Sequence, residues 1–175
     1  MPNLSRSAVF SPAQTLILDR ACFLARTLVA EDFRLDFEDF RIWPVDVKRY
    51  PELAPDEMAE GVFAQLFRYF RPGPVVAGAR PDYYRICLYD PEILRAVADE
   101  PGLALEPLLA YVLTHEFIHV ARFVKFMGLF EAGDENRRAE EEIVHGETFR
   151  LLSKISLSGL DLVLDLYRSH RLPVD

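Results

Sequence analysis

One stretch, residues 110–123, "AYVLTHEFIHVARF", constrains this chain more than any other. Its Tyr, Val, Leu, Phe, Ile and Ala residues suit a buried helix, yet His115, Glu116 and His119 stand among them. Polar groups taken out of water cost free energy unless they are paired. A helix of this composition therefore belongs at the centre of the fold, with something that satisfies three ionisable side chains. Positions i and i+4 stack on one helix face, about 6 Å apart. His115 and His119 can thus share one metal ion. Glu116 lies one step round the helix and reaches beside the ion rather than onto it, where a base acting on water is needed. The spacing is H-E-x-x-H, and three of the four histidines fall between 115 and 145. The plainer alternative is a pair of core histidines held by hydrogen bonds. The metal reading is preferred because an otherwise apolar helix offers them few partners.

A catalytic zinc site usually has three protein ligands and one open position. The segment 139–149, "AEEEIVHGETF", offers Glu140, Glu141, Glu142 and His145. Ile143, Val144, Leu151, Leu152 and Ile155 mark the expected buried side of that helix. Glu141, His145, Thr148 and Leu152 form one ridge within it. Glu142 falls toward the edge and Glu140 on the other flank, so Glu141 is the first choice. Arg137 with Glu141 and Arg138 with Glu142 are i,i+4 pairs, so "RRAEEE" also reads as a solvated face, above all at Glu140. His145 is a candidate ligand, a partner that orients Glu141, or a satisfied core histidine. Arg122 shares the face of His115 and His119; it can orient a ligating carboxylate, hold a substrate carboxylate, or pair with a helix neighbour.

With H-E-x-x-H on one helix and a glutamate on the next, residues 104–155 resemble the gluzincin branch of the zinc metallopeptidases. In that branch the glutamate often stands in an E-x-x-(Ala/Ser)-Asp setting. Glu141-Glu142-Ile143-Val144-His145 is similar, with Val144 replacing the small residue and His145 the aspartate. The resemblance implies Zn2+ held by His115, His119 and Glu141, and Glu116 as general base. Zinc-bound water would attack a peptide or small amide carbonyl that the ion polarises. It also implies an edge strand that lines the cleft and pairs with extended peptide. Residues 83–90, "YYRICLYD", are the candidate, with Tyr83, Tyr84 or Arg85 near substrate, although strand tyrosines more often pack. The chain would be a minimal zincin: a narrow protease, a self-processing protein, or a metal protein without turnover.

Two other classes compete. Glu116 with His119 and Glu142 with His145 are both E-x-x-H, the unit of ferritin-like di-iron carboxylate proteins. That site needs further glutamates, and Glu31, Glu60 and Glu92 are the ones on offer. A non-catalytic metal-binding module would instead close the sphere with His115, His119, Glu141 and His145. A variant with Cys87 as ligand, as in peptide deformylases, lacks that family's motifs around "YRICLYD".

The 175 residues, 50% hydrophobic, suit one domain spanning 1–175. A net charge of −8 without a compact Lys/Arg block argues against nucleic acid and an anionic membrane surface. No apolar run reaches membrane-spanning length, and "MPNLSRSAVFSPAQ" has no signal-like apolar core. Cys22 and Cys87 form no CxxC pair and read as buried, reduced thiols. A soluble, cytoplasmic protein is expected, with its oligomeric state open. The elements expected are a helix over 11–30, capped by Ser11, with Leu16, Ile17, Ala21, Leu24, Ala25 and Leu28 inward, and a strand at 33–37. A loop at 45–55 and a helix at 56–70, closed by Pro72-Gly73-Pro74, come next. Then follow a strand in "DYYRICLYD", a short helix at 90–98, a turn at 100–102 and the longest helix, 107–129. Asp134 caps a helix over 135–155, and Ser158 opens the last. The fold class expected is α+β: mostly helical and zincin-like, with a small sheet or hairpin in the first half and H-E-x-x-H on a long central helix.

Overall fold

Ser11 starts the first helix as its sequence dictates. Its hydroxyl accepts from the Gln14 N–H at 3.3 Å, and the Gln14 side chain accepts from the Ser11 N–H at 2.9 Å. Helix α1, Pro12–Asp32, follows. Our computed structural model describes residues 8–36, 44–70, 82–125 and 133–168. The inward stripe of α1 is Leu18, Ala21, Ala25 and Val29, one step round from the spacing expected. Leu16 and Phe23 are 63% and 75% exposed. The two alanines set the phase: small side chains let α1 lie close against the central helix, while Ile17, Cys22 and Leu28 pack at the rim of the contact.

Among the described residues the sheet has three strands, β1 (Val45–Arg49), β2 (Ala64–Phe70) and β3 (Asp82–Leu88). Their order is β1-β3-β2, with β3 parallel to β1 and antiparallel to β2. β3 alternates as its sequence predicts. Tyr84, Ile86 and Leu88 face the helices, while Arg85 and Cys87 face away. Three expectations fail nearby. Residues 45–49 form a strand, not a loop. Residues 56–70 form no helix: a short 3-10 turn, Pro55–Glu57, precedes β2. "AQLFRYF" carries apolar residues at both helical and strand spacings, and pairing with β3 along its whole length settles the choice. Phe33 and Arg34 are the turn that closes α1, with Arg34 at φ 52°, so no strand begins at 33; residues 37–43 lie outside the described ones. So do Pro72-Gly73-Pro74.

Helices α2 (Asp90–Asp99), α3 (Leu105–Val124), α4 (Asp134–Leu152) and α5 (Leu160–Arg168) complete the α+β, mostly helical fold. Of the 20 residues of α3, only Glu106 and Phe123 escape burial. α1, α2, α4, α5 and β2 all pack on it, which is why its sequence is apolar on every face. It ends at Val124, capped by the Lys125 N–H, and residues 126–132 lie outside the described ones. α1, at 21 residues, is slightly longer. Gly133, not Asp134, holds the cap position of α4, and that helix stops at Leu152. Gly159 takes φ +80° in the turn before α5, where a Cβ would also sit 3.4 Å from the Pro107 ring. None of the described helices is long and apolar enough to cross a membrane.

Candidate metal centre

Tyr111, His115 and His119 stand at i, i+4 and i+8 on α3 and form one ridge. Glu141 and His145 stand at i and i+4 on α4, which packs on α3. The ridges meet. The Nε2 atoms of His115 and His119 are 3.1 Å apart. Glu141 Oε2 lies 3.2 Å from His115 Nε2, and Glu141 Oε1 lies 3.2 Å from His119 Nε2. Ligands at about 2.0–2.1 Å from a tetrahedral zinc ion stand about 3.3–3.4 Å from each other, so these three groups lie close to the edges of such a polyhedron. A single proton can bridge two of these atoms. A divalent cation satisfies all three groups at once.

The protonation states suit ligation. His115 is fully buried, and burial is the main force that lowers its pKa to about 3, with the hydrogen bond to Glu141 opposing and the neighbouring His119 adding. A neutral imidazole is the form that binds metal. Burial works against ionisation of Glu141, but its contacts to His115 and His119 outweigh it and hold the carboxyl far below the usual range. Glu116, 2% exposed, adds a second carboxylate beside His115. Burial chiefly raises the Tyr89 hydroxyl just beyond β3, and Cys87, Glu57 and then Glu116 add to that shift.

His145 touches the cluster from one turn further along α4. Its ring centroid is 4.7 Å from that of His115, and ligand atoms of His115, Glu141 and His145 all fall within 4.8 Å of one another. Its Nδ1 shares a hydrogen bond with the Tyr111 hydroxyl at 3.0 Å, and the Tyr111 ring stacks on Tyr167 at 3.6 Å. Tyr111 escaped the sequence reading, although its place four residues before His115 was the available signal. Glu142 is exposed. Glu140 does not belong to a solvated face. It makes a two-pronged ion pair with Arg122, Nε to Oε1 at 2.7 Å and Nη2 to Oε2 at 3.0 Å, and Glu147 Oε2 lies 3.9 Å from Nη1.

Other candidates take structural places. β3 is the central strand with both edges paired, so it cannot add a peptide strand. Arg85 pairs with Asp46 and Glu57, Tyr83 stacks on Tyr69, and Tyr84 packs on Val120 and Val124. Cys87 is buried with Leu53 and Tyr89 on the far face of the sheet. Of the carboxylates a di-iron site would borrow, Glu31 and Glu60 are exposed and Glu92 pairs with Arg95.

No family model, no curated protein and no solved structure matches this chain. Fold and site define an α+β domain with a buried two-helix His/Glu cluster, and the functional reading rests on that cluster.

Proposed function

We propose that this protein is a zinc-dependent hydrolase acting on peptide or small amide carbonyls. The observation that carries the reading is the convergence of His115, His119 and Glu141 at separations of 3.1 to 3.2 Å. These three residues would hold the ion. Zinc bound there would supply an acidified water and a Lewis acid for the carbonyl oxygen. Glu116 takes the proton from the attacking water on its carboxylate and passes it to the leaving nitrogen, so one C–N bond is exchanged for a C–O bond. The buried setting of Glu116 suits a base whose proton must not be lost to bulk solvent. Glu141 keeps 29% of its side chain exposed, which leaves the cluster a solvent-facing side. Cys22 and Cys87 are free thiols, which supports work in a reducing compartment, the cytoplasm. The net charge of −8 disfavours a nucleic-acid substrate.

One observation favours a second reading. His115, Glu141 and His145 offer ligand atoms within 4.8 Å of one another, a set without His119, so His145 competes for a donor's place, and a site that held both would be closed and non-catalytic. The Glu116→Gln variant separates the two. The hydrolase reading expects wild-type protein loaded with Zn2+ to cleave members of a peptide library. It expects Glu116→Gln to keep its zinc and lose about 100-fold or more in rate. Zinc-loaded wild type without turnover on any peptide or amide, or Glu116→Gln with undiminished turnover, contradicts the hydrolase.

A further inference from the structure

The segment Glu140-Glu141-Glu142 places three consecutive carboxylates on the helix that brings Glu141 to His115 and His119. A carboxylate run of this kind leaves the ligand ambiguous unless something fixes the register of α4 on α3. We propose that the Arg122–Glu140 pair is that device: a positioning clamp that takes Glu140 out of contention and sets Glu141 against His115 and His119. The inference rests on the metal reading above. Arg122 follows His119 by three residues, so it lies one turn along the same face. The two cross-helix contacts, Arg122 to Glu140 and His119 to Glu141, are therefore neighbours on one seam.

The pair has the features of a positioning element. It is two-pronged, which fixes orientation as well as distance. Its side chains are only 6% and 14% exposed, so neither swings freely. Desolvation offsets most of what a buried ion pair contributes to stability, and geometric specificity is the better-attested return. Glu142 on the other side of Glu141 is exposed, so the seam holds two of the three glutamates and leaves the third to solvent.

Co2+ titration followed by visible absorption tests this, with thermal unfolding of the metal-free proteins alongside. Glu140→Gln keeps the shape of the side chain and removes its charge; Arg122→Met removes the fork. Each is expected to weaken Co2+ binding about 10- to 100-fold and to alter the cobalt band, because the ligating carboxylate is no longer held. Arg122→Lys, with charge but no fork, is expected to fall between these and wild type. Asp32→Asn breaks a two-pronged pair with Arg150, between α1 and α4 and away from the cluster, and is expected to leave affinity and band unchanged. A folded Glu140→Gln with wild-type affinity and band overturns the clamp while the metal reading stands. Equal loss in Asp32→Asn overturns it too, since any loosening of α4 would then do the same. Wild-type protein that takes up no Co2+ brings down the metal reading, and the clamp's role with it.

Discussion

His115 and Glu141 hold the proton balance of the cluster. Burial keeps the first neutral, and contact with two imidazoles keeps the second charged. Both are thereby in the form a cation would need. The residues of H-E-x-x-H could be read from the sequence because their geometry is local: four residues along a helix fix the separation of His115 and His119 whatever the rest of the chain does. Glu141 was legible through helical phase alone. The Arg122–Glu140 pair was not, because it depends on how α4 is registered against α3, and charge pattern within "RRAEEE" suggested a solvated Glu140 instead. Tyr111 supports the cluster through His145. Tyr111→Phe keeps the ring stack on Tyr167 and removes the hydroxyl. It is expected to lower unfolding stability by about 1 kcal/mol in urea while leaving the fold intact. No loss of stability would mean that the hydroxyl contributes nothing net and that His145 is held by packing.

At the level of elements, the sheet is fastened on its far face by one ionic network. Arg85 of β3 donates to Asp46 of β1 and to Glu57 in the turn before β2, and the Tyr69 hydroxyl of β2 donates to Glu57. Burial opposes ionisation of Glu57. The hydrogen bonds from Tyr69, the Ala54 N–H and Arg85 win and lower its pKa to about 2 from an ordinary 4.5. A depressed carboxylate stabilises the folded state fully above its unfolded pKa and ceases to do so as pH falls through its folded value. Stability is therefore expected to drop between about pH 4.5 and pH 2 by on the order of 1–2 kcal/mol through this group, after allowance for solvent screening. Urea unfolding of wild type and Glu57→Gln across that window measures it. The difference between them should shrink toward low pH, and a constant difference would contradict the account. β3 was legible because one face of it is buried in the main core and its alternation is strict. β1 and β2 were not: β1 is a short edge strand, and β2 carries a pattern that fits either helix or strand until β3 pairs with it.

Across the whole molecule, the largest buried cluster draws on α1, β2, β3 and every helix from α2 to α5, with α3 at its centre. The His/Glu cluster therefore sits at a junction of core elements rather than on a surface loop. This placement suits precision, since ligands on packed helices move little. Elemental analysis of purified wild-type protein, with Glu141→Ala and His145→Ala beside it, tests the central claim most directly. The account predicts one zinc per chain in wild type, retained in His145→Ala and lost in Glu141→Ala, with all three proteins folded. Zinc lost in His145→Ala but kept in Glu141→Ala would contradict the ligand set, two irons per chain would contradict the zinc site, and no metal in wild-type protein never exposed to chelator would contradict the metal centre altogether.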